Sequence, residues 1–199
     1  MLQRHAALTR ETGETRVSVD IDIDGRGAGQ VDTGVGMLDH LLTAFAKHGR
    51  FDLAVKATGD IHVDDHHSVE DVGIALGRAF AQAIGEPRGI FRMGDALVPL
   101  DEALAQVAVD LGGRGYAVIE ASFSEHGPGA LSGHMITHFL ETLAIEARMN
   151  LHARIISGAN DHHKAEALFK ALGRALDQAT QIDPRIAGQV PSTKGVIET

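Results

Sequence analysis

A chain of 199 residues with 44% apolar content is long enough to bury a core, and its net charge of -9 argues against broad binding to nucleic-acid phosphates. The absence of cysteine excludes a disulfide framework and thiolate metal ligands. No apolar run approaches the ~18 residues of a membrane span and none follows the amino end, so the chain reads as soluble, unexported and cytoplasmic.

From 14 to 24 the residues alternate, with Val17, Val19, Ile21 and Ile23 apolar and Ser18, Asp20, Asp22 and Asp24 polar. That pattern predicts a strand with one wet face, as in an antiparallel sheet. The glycine-rich run 25–29 turns the chain, and 30–33 returns as a second strand. Gly34-Val35-Gly36 opens a helix over 37–48, stopped by Gly49. A strand over 51–58 and a helix capped by Asp64 or Asp65 and running to Ile84 complete the first half. Beyond a boundary at 85–89, strands are predicted over 90–99, 103–111 and 116–123, followed by a loop over 124–132. A helix over 133–149, a strand over 151–157 and a helix over 161–181 close the order.

The two halves repeat. Asp65-His66-His67-Ser68-Val69-Glu70 returns as Asp161-His162-His163-Lys164-Ala165-Glu166, and Ala75-Leu76-Gly77-Arg78-Ala79 returns as Ala171-Leu172-Gly173-Arg174-Ala175, both at an offset of 96. His40 and His138, like Leu53 and Leu151, are offset by 98, so one two-residue insertion reconciles the two registers. The pattern predicts an α+β fold made by internal duplication: two ββαβα-like halves, each a mixed or antiparallel sheet with two helices, and the helices packed between the sheets. The divisions are 1–89, 90–182 and a tail over 183–199, forming together one catalytic domain.

On a helix, Glu70 shares a face with His66 or His67, whereas the adjacent histidines point ~100° apart and suit two different ions. Imidazole with carboxylate suits a borderline divalent transition metal. Each motif has an upstream histidine at a similar distance, which groups His40 with His66, His67 and Glu70, and His138 with His162, His163 and Glu166.

Outside the repeat, Arg114 sits in Gly112-Gly113-Arg114-Gly115, where small neighbours leave a guanidinium open to phosphate. Ser192-Thr193-Lys194 offers hydroxyls and an ammonium. Arg92 and Lys170 are further basic candidates, although any one of these charges reads more simply as solvated surface. Glu14 fits a general base or an exposed strand end, and His48 either lines the pocket or faces a helix dipole. The remaining histidines, His5, His62, His126, His134 and His152, lack the doubled spacing and read as structural or exposed.

These motifs, together with Thr9-Arg10-Glu11-Thr12-Gly13-Glu14-Thr15, Leu38-Asp39-His40, Asp101-Glu102-Ala103-Leu104 and Pro191-Ser192-Thr193-Lys194-Gly195, resemble the imidazoleglycerol-phosphate dehydratase family over nearly the whole chain. The resemblance implies the monofunctional form, converting imidazoleglycerol phosphate to imidazoleacetol phosphate in histidine biosynthesis. It implies two Mn2+ ions per active site, held by His40, His66, His67, Glu70, His138, His162, His163 and Glu166. Glu14 becomes the proton-transfer residue, and Arg92, Arg114, Lys170, Ser192 and Lys194 the phosphate contacts. A homo-oligomeric, 24-subunit shell with active sites at subunit contacts is implied as well. Ala44 and Gly112 depart from the family pattern, which commonly has Gln and Ser there. A two-metal hydrolase and a metal-storage shell are the rival readings of the same residues.

Overall fold

The computed structural model describes residues 4–186 and 188–197; residues 1–3 of the predicted amino-terminal stretch, and 187, 198 and 199 of the tail, lie outside them. The first half runs β1 (His5–Glu11), β2 (Thr15–Asp22), β3 (Gly29–Asp32), α1 (Gly36–Gly49), β4 (Asp52–Gly59) and α2 (His66–Ile84). The second runs β5 (Met93–Leu100), β6 (Ala103–Asp110), β7 (Tyr116–Glu120), α3 (Gly133–Glu146), β8 (Asn150–Ser157) and α4 (Asp161–Thr180).

Two four-stranded sheets result, ordered β1-β2-β4-β3 and β5-β6-β8-β7. In each, only the last pair, β3 with β4 or β7 with β8, is parallel. Ile21 lies opposite Leu53 in one sheet and Val109 opposite Leu151 in the other, so the two sheets share a register as well as an order. The alternation over 14–24 becomes β2, whose Val17, Val19 and Ile21 are buried.

The two-half α+β reading stands, with one strand added: each half is βββαβα. β1 escapes sequence reading because it is an edge strand with little apolar alternation, and of its residues only Ala6 is buried. β5 begins at Met93 rather than residue 90, since Arg92 has a left-handed φ of 70° and Ile90 bridges to Ile182 instead. β7 stops at Glu120.

The helices lie between the sheets, and they pair across the halves. α1 packs along α4 and α2 along α3, while α2 covers β1 and β2 and α4 covers β5 and β6. The repeated Ala-Leu-Gly-Arg-Ala segment makes these crossings close. A Cβ on Gly173 would stand 2.5 Å from the Phe45 carbonyl oxygen of α1, and one on Gly77 would stand 2.7 Å from Glu146 Cβ of α3. Glycine therefore lets helix backbones approach where any side chain would hold them apart. Among the described residues no helix is long and apolar enough to cross a membrane.

Candidate metal centres and anion pocket

Because α1 lies on α4 and α2 on α3, the upstream histidines exchange halves. His40 of α1 meets His162 and Glu166 of α4; His138 of α3 meets His66 and Glu70 of α2. This corrects the grouping read from sequence, which kept each upstream histidine with its own half. Spacing along the chain cannot register a pairing made by helix packing.

The two triads have nearly the same geometry. The His40 and His162 rings lie 5.1 Å apart at 37°, and the His66 and His138 rings 5.2 Å apart at 37°. Glu166 Oε2 lies 3.0 Å from His40 Nε2, and Glu70 Oε1 lies 3.0 Å from His138 Nε2. In α4 the same Glu166 oxygen is 3.1 Å from His162 Nε2. Lys170 Nζ sits 2.6 Å from the other Glu166 oxygen. Burial works against ionisation of Glu166, but the hydrogen bonds from Lys170 and His40 outweigh it and hold the carboxyl down at about 2.

His67 and His163 stand outside the triads, each edge-on to its neighbour, at 77° to His66 and 90° to His162. His67 Nδ1 is 2.9 Å from Asp60 Oδ2 and 3.8 Å from Glu14 Oε2. His163 Nδ1 is 2.7 Å from Glu102 Oε2. The hydrogen bond to Asp60 raises the pKa of His67, and that to Glu102 raises the pKa of His163. Sequence reading assigned no role to Asp60 or Glu102. Glu102 had a signal in the repeat, for it stands eight residues before Asp110 as Glu14 stands eight before Asp22.

The motif ends are fixed by hydrogen bonds. Asp64 accepts from His66 N at 2.9 Å, whereas Asp65 turns to the loop ahead of α3 and accepts from Ser132 N at 2.7 Å and Ser132 Oγ at 2.9 Å. Asn160 caps α4 by accepting from His162 N and His163 N. Buried Asp71, next to Glu70, accepts from Arg10 Nε at 2.8 Å and from Thr15 Oγ1, tying the β1–β2 hairpin that carries Glu14 to α2.

A separate cavity of about 570 Å³ is lined by Arg92, Gly112, Arg114, Ser192, Thr193 and Lys194, among others. Arg92 is held in a fork by Asp110, at 2.6 and 3.0 Å, and donates to the Pro191 carbonyl at 2.8 Å. Gly112 lies close against this pair: a Cβ there would stand 3.1 Å from Asp110 Oδ2 and 3.2 Å from the Arg92 guanidinium. Lys170 is not part of this cavity: it stands with the α4 triad. His48 of α1 belongs on that side too, its pKa lowered by burial and then by the positive charges of Lys170 and Arg174.

Fold and sites together define an enzyme with a duplicated α+β scaffold, two imidazole-carboxylate triads and a cationic pocket. Residues 33–176 match the imidazoleglycerol-phosphate dehydratase family. An imidazoleglycerol-phosphate dehydratase of Roseiflexus sp. (strain RS-1) is 57% identical over 194 residues, covering 98% of each chain. One from Dehalococcoides mccartyi (strain CBDB1) is 55% identical over the full length of both chains. The crystal structure of the Staphylococcus aureus subsp. aureus N315 enzyme superposes with a TM-score of 0.81 at 35% identity, covering 89% of this chain and 99% of that one. The Pyrococcus furiosus enzyme in complex with (S)-C348 gives a TM-score of 0.81 at 36% identity, covering 95% and 99%. The chain belongs to the imidazoleglycerol-phosphate dehydratase family and is a carbon–oxygen lyase of the hydro-lyase class.

Proposed function

We propose that this chain removes water from imidazoleglycerol phosphate to give imidazoleacetol phosphate, in a metal-dependent step of histidine biosynthesis in the cytoplasm. The observation that carries this reading is the pair of matched triads, each drawing two imidazoles and one carboxylate from both halves of the chain. The donor set fits a borderline divalent cation such as Mn2+. In both triads an imidazole Nε2 and a carboxylate oxygen converge to 3.0 Å. His40, His162 and Glu166 would hold one ion, and His66, Glu70 and His138 the second. His67 and His163 are directed away from their own triads and serve as ligands toward another copy. A divalent ion held there would supply electrophilic assistance to the substrate imidazole.

The chain's other residues bind substrate and move its proton. Arg92, already aimed by Asp110, holds the substrate phosphate with Arg114, Ser192, Thr193 and Lys194. Glu14, exposed at a hairpin turn that Asp71 anchors, exchanges the proton with the substrate carbon. Lys170 and His48 flank the α4 triad and orient the substrate's polar arm.

Distance argues for assembly. The Arg92 amide donates to the Ala179 carbonyl at 2.8 Å, near the carboxyl end of α4, whereas Glu166 stands at the start of that helix. At 1.5 Å per residue the separation is ~20 Å, far longer than a small phosphorylated imidazole. The α4 triad therefore needs the anion pocket of another copy, which makes the working enzyme a homo-oligomer, with the 24-subunit shell as the expected form.

The test is direct. The Mn2+-loaded chain given imidazoleglycerol phosphate should form a keto product lacking one water, detected by mass spectrometry, and chelation should stop it. Release of inorganic phosphate with no dehydrated product would overturn the reading. Co-assembling an inactive Arg92→Ala chain with an inactive His162→Ala chain should restore part of the activity if the site is shared between copies; no restoration would place the whole site in one chain.

A further inference from the structure

The repeat that doubles the triads also doubles the acidic residue at the first hairpin. Ile21 and Val109 occupy matching places opposite Leu53 and Leu151. Counting back along β2 and β6 from there brings Glu14 and Glu102 to the same position, at the β1–β2 and β5–β6 turns. Their surroundings have diverged.

Glu102 is fully engaged. Its Oε2 accepts from His163 Nδ1 at 2.7 Å, while Oε1 accepts from Asn160 N at 2.9 Å and Ala159 N at 3.2 Å. The turn is thereby tied both to the imidazole and to the loop entering α4. In the first half a different residue does this work: Asp60, from the turn after β4, takes His67 Nδ1 at 2.9 Å, and Glu14 is left at 3.8 Å. The other Asp60 oxygen is buried and, among the described residues, has no hydrogen-bond partner, so the side-chain bond to His67 is the main tie of this carboxylate.

A histidine whose Nδ1–H is given to a carboxylate keeps its lone pair on Nε2 and has its ring direction fixed. For His163, Asp101 faces Nε2 from 3.8 Å, mostly exposed and beyond hydrogen-bonding distance. With Nδ1 engaged, Nε2 is the nitrogen each of these rings has left to offer.

We propose that Glu102 and Asp60 are positioning residues that hold His163 and His67 as Nδ1–H tautomers, offering Nε2 to a divalent cation. The transfer of this task from hairpin to β4 turn in the first half leaves Glu14 uncommitted for proton transfer. The inference rests on the metal-dependent reading above and assigns the residues that aim two of its ligands.

Manganese titration of the full-length protein tests it, with no substrate present. Glu102→Gln should weaken one class of bound Mn2+ by about 10–100-fold and leave the other class unchanged, and Asp60→Asn should do the reverse. In a His163→Ala background, Glu102→Gln should add no further loss, because it acts through that ring; an added loss would mean that Glu102 only holds the α4 loop. Unchanged Mn2+ affinity in Glu102→Gln overturns the proposal while the metal reading survives. A native chain that binds no divalent ion overturns both. Should Glu102→Gln fail to fold, histidine 15N spectra of the native chelated protein decide the matter: Nδ1–H signals for His67 and His163 are expected, and Nε2–H signals overturn the assignment.

Discussion

The first and second halves hold the same triad in different settings. Ring separations of 5.2 and 5.1 Å, and carboxylate–imidazole distances of 3.0 Å in each, are preserved across the duplication. Around them little is shared. Glu166 is 16% exposed and carries Lys170, whereas Glu70 is 37% exposed and the residue matching Lys170 is Ile74. His48 beside the α4 triad has Glu146 as its counterpart, and Glu146 pairs with Arg78 instead. On the proposed function, the doubled residues are those that would hold the ions, while Lys170, His48, Arg92, Arg114, Lys194 and an uncommitted Glu14 would serve an asymmetric substrate. Two like ions would require two like sites, but a phosphate at one end of a molecule would require one pocket.

The comparison breaks most severely if the triads are not made across the halves. His40→Ala with His162→Ala should remove one class of bound Mn2+ and keep the other, because both changes fall in one triad. His40→Ala with His66→Ala should remove both. Ion counting by elemental analysis separates these outcomes, and grouping by sequence spacing would predict the reverse. Each single change should cost activity by well over ~100-fold, beyond the range of changes that act through a second residue.

A smaller effect tests the helix crossings that make the triads. A Cβ on Gly173 would meet backbone at all three of its nearest contacts, among them Phe45 O at 2.5 Å and Gly49 N at 2.9 Å, while one on Gly77 meets Glu146 Cβ at 2.7 Å and backbone only at 3.0 Å. Gly173→Ala should destabilise by about 1–3 kcal/mol, and Gly77→Ala by less. Thermal unfolding would show a drop of ~2–4 °C per kcal/mol in a chain of this size. An unchanged melting temperature in Gly173→Ala would mean that α1 and α4 can separate without cost, and that the His40 triad is not held by this crossing.

Much of the fold is legible in the sequence. Alternation along Val17, Val19 and Ile21 marks β2, Gly85 marks the end of α2 and the offset of 96 marks the duplication, whereas α1 runs through Gly49 and is capped by Arg50 at a left-handed φ of 58°. These signals are local, and secondary structure is set largely by local patterns. The exchange of His40 and His138 was not legible, because it depends on which helix faces which. Nor were Asp60 and Glu102, whose importance comes from where a turn ends in space. β1 was hidden for a related reason: an edge strand with one buried residue lacks the alternation that would mark it.

The smallest effect returns to Lys170, a charge that the first half replaces with Ile74. Glu166 is held at about 2, below the 4.5 of a free glutamate, against its burial and with hydrogen bonds from Lys170 and His40. A carboxyl whose folded pKa is depressed adds stability that is complete above 4.5 and is lost as pH falls toward about 2. Lys170→Met removes the largest of the lowering contributions, so Glu166 should protonate at higher pH and the loss of stability should begin nearer the free value. In denaturant unfolding of the chelated protein, the variant should be weaker by of order 1 kcal/mol above that window and converge on the native chain below it. Ile74→Met at the matching first-half position should leave the pH profile in place. If both variants give parallel profiles, Lys170 does not set the charge of the α4 triad, and the two halves are electrostatically closer than their surroundings indicate.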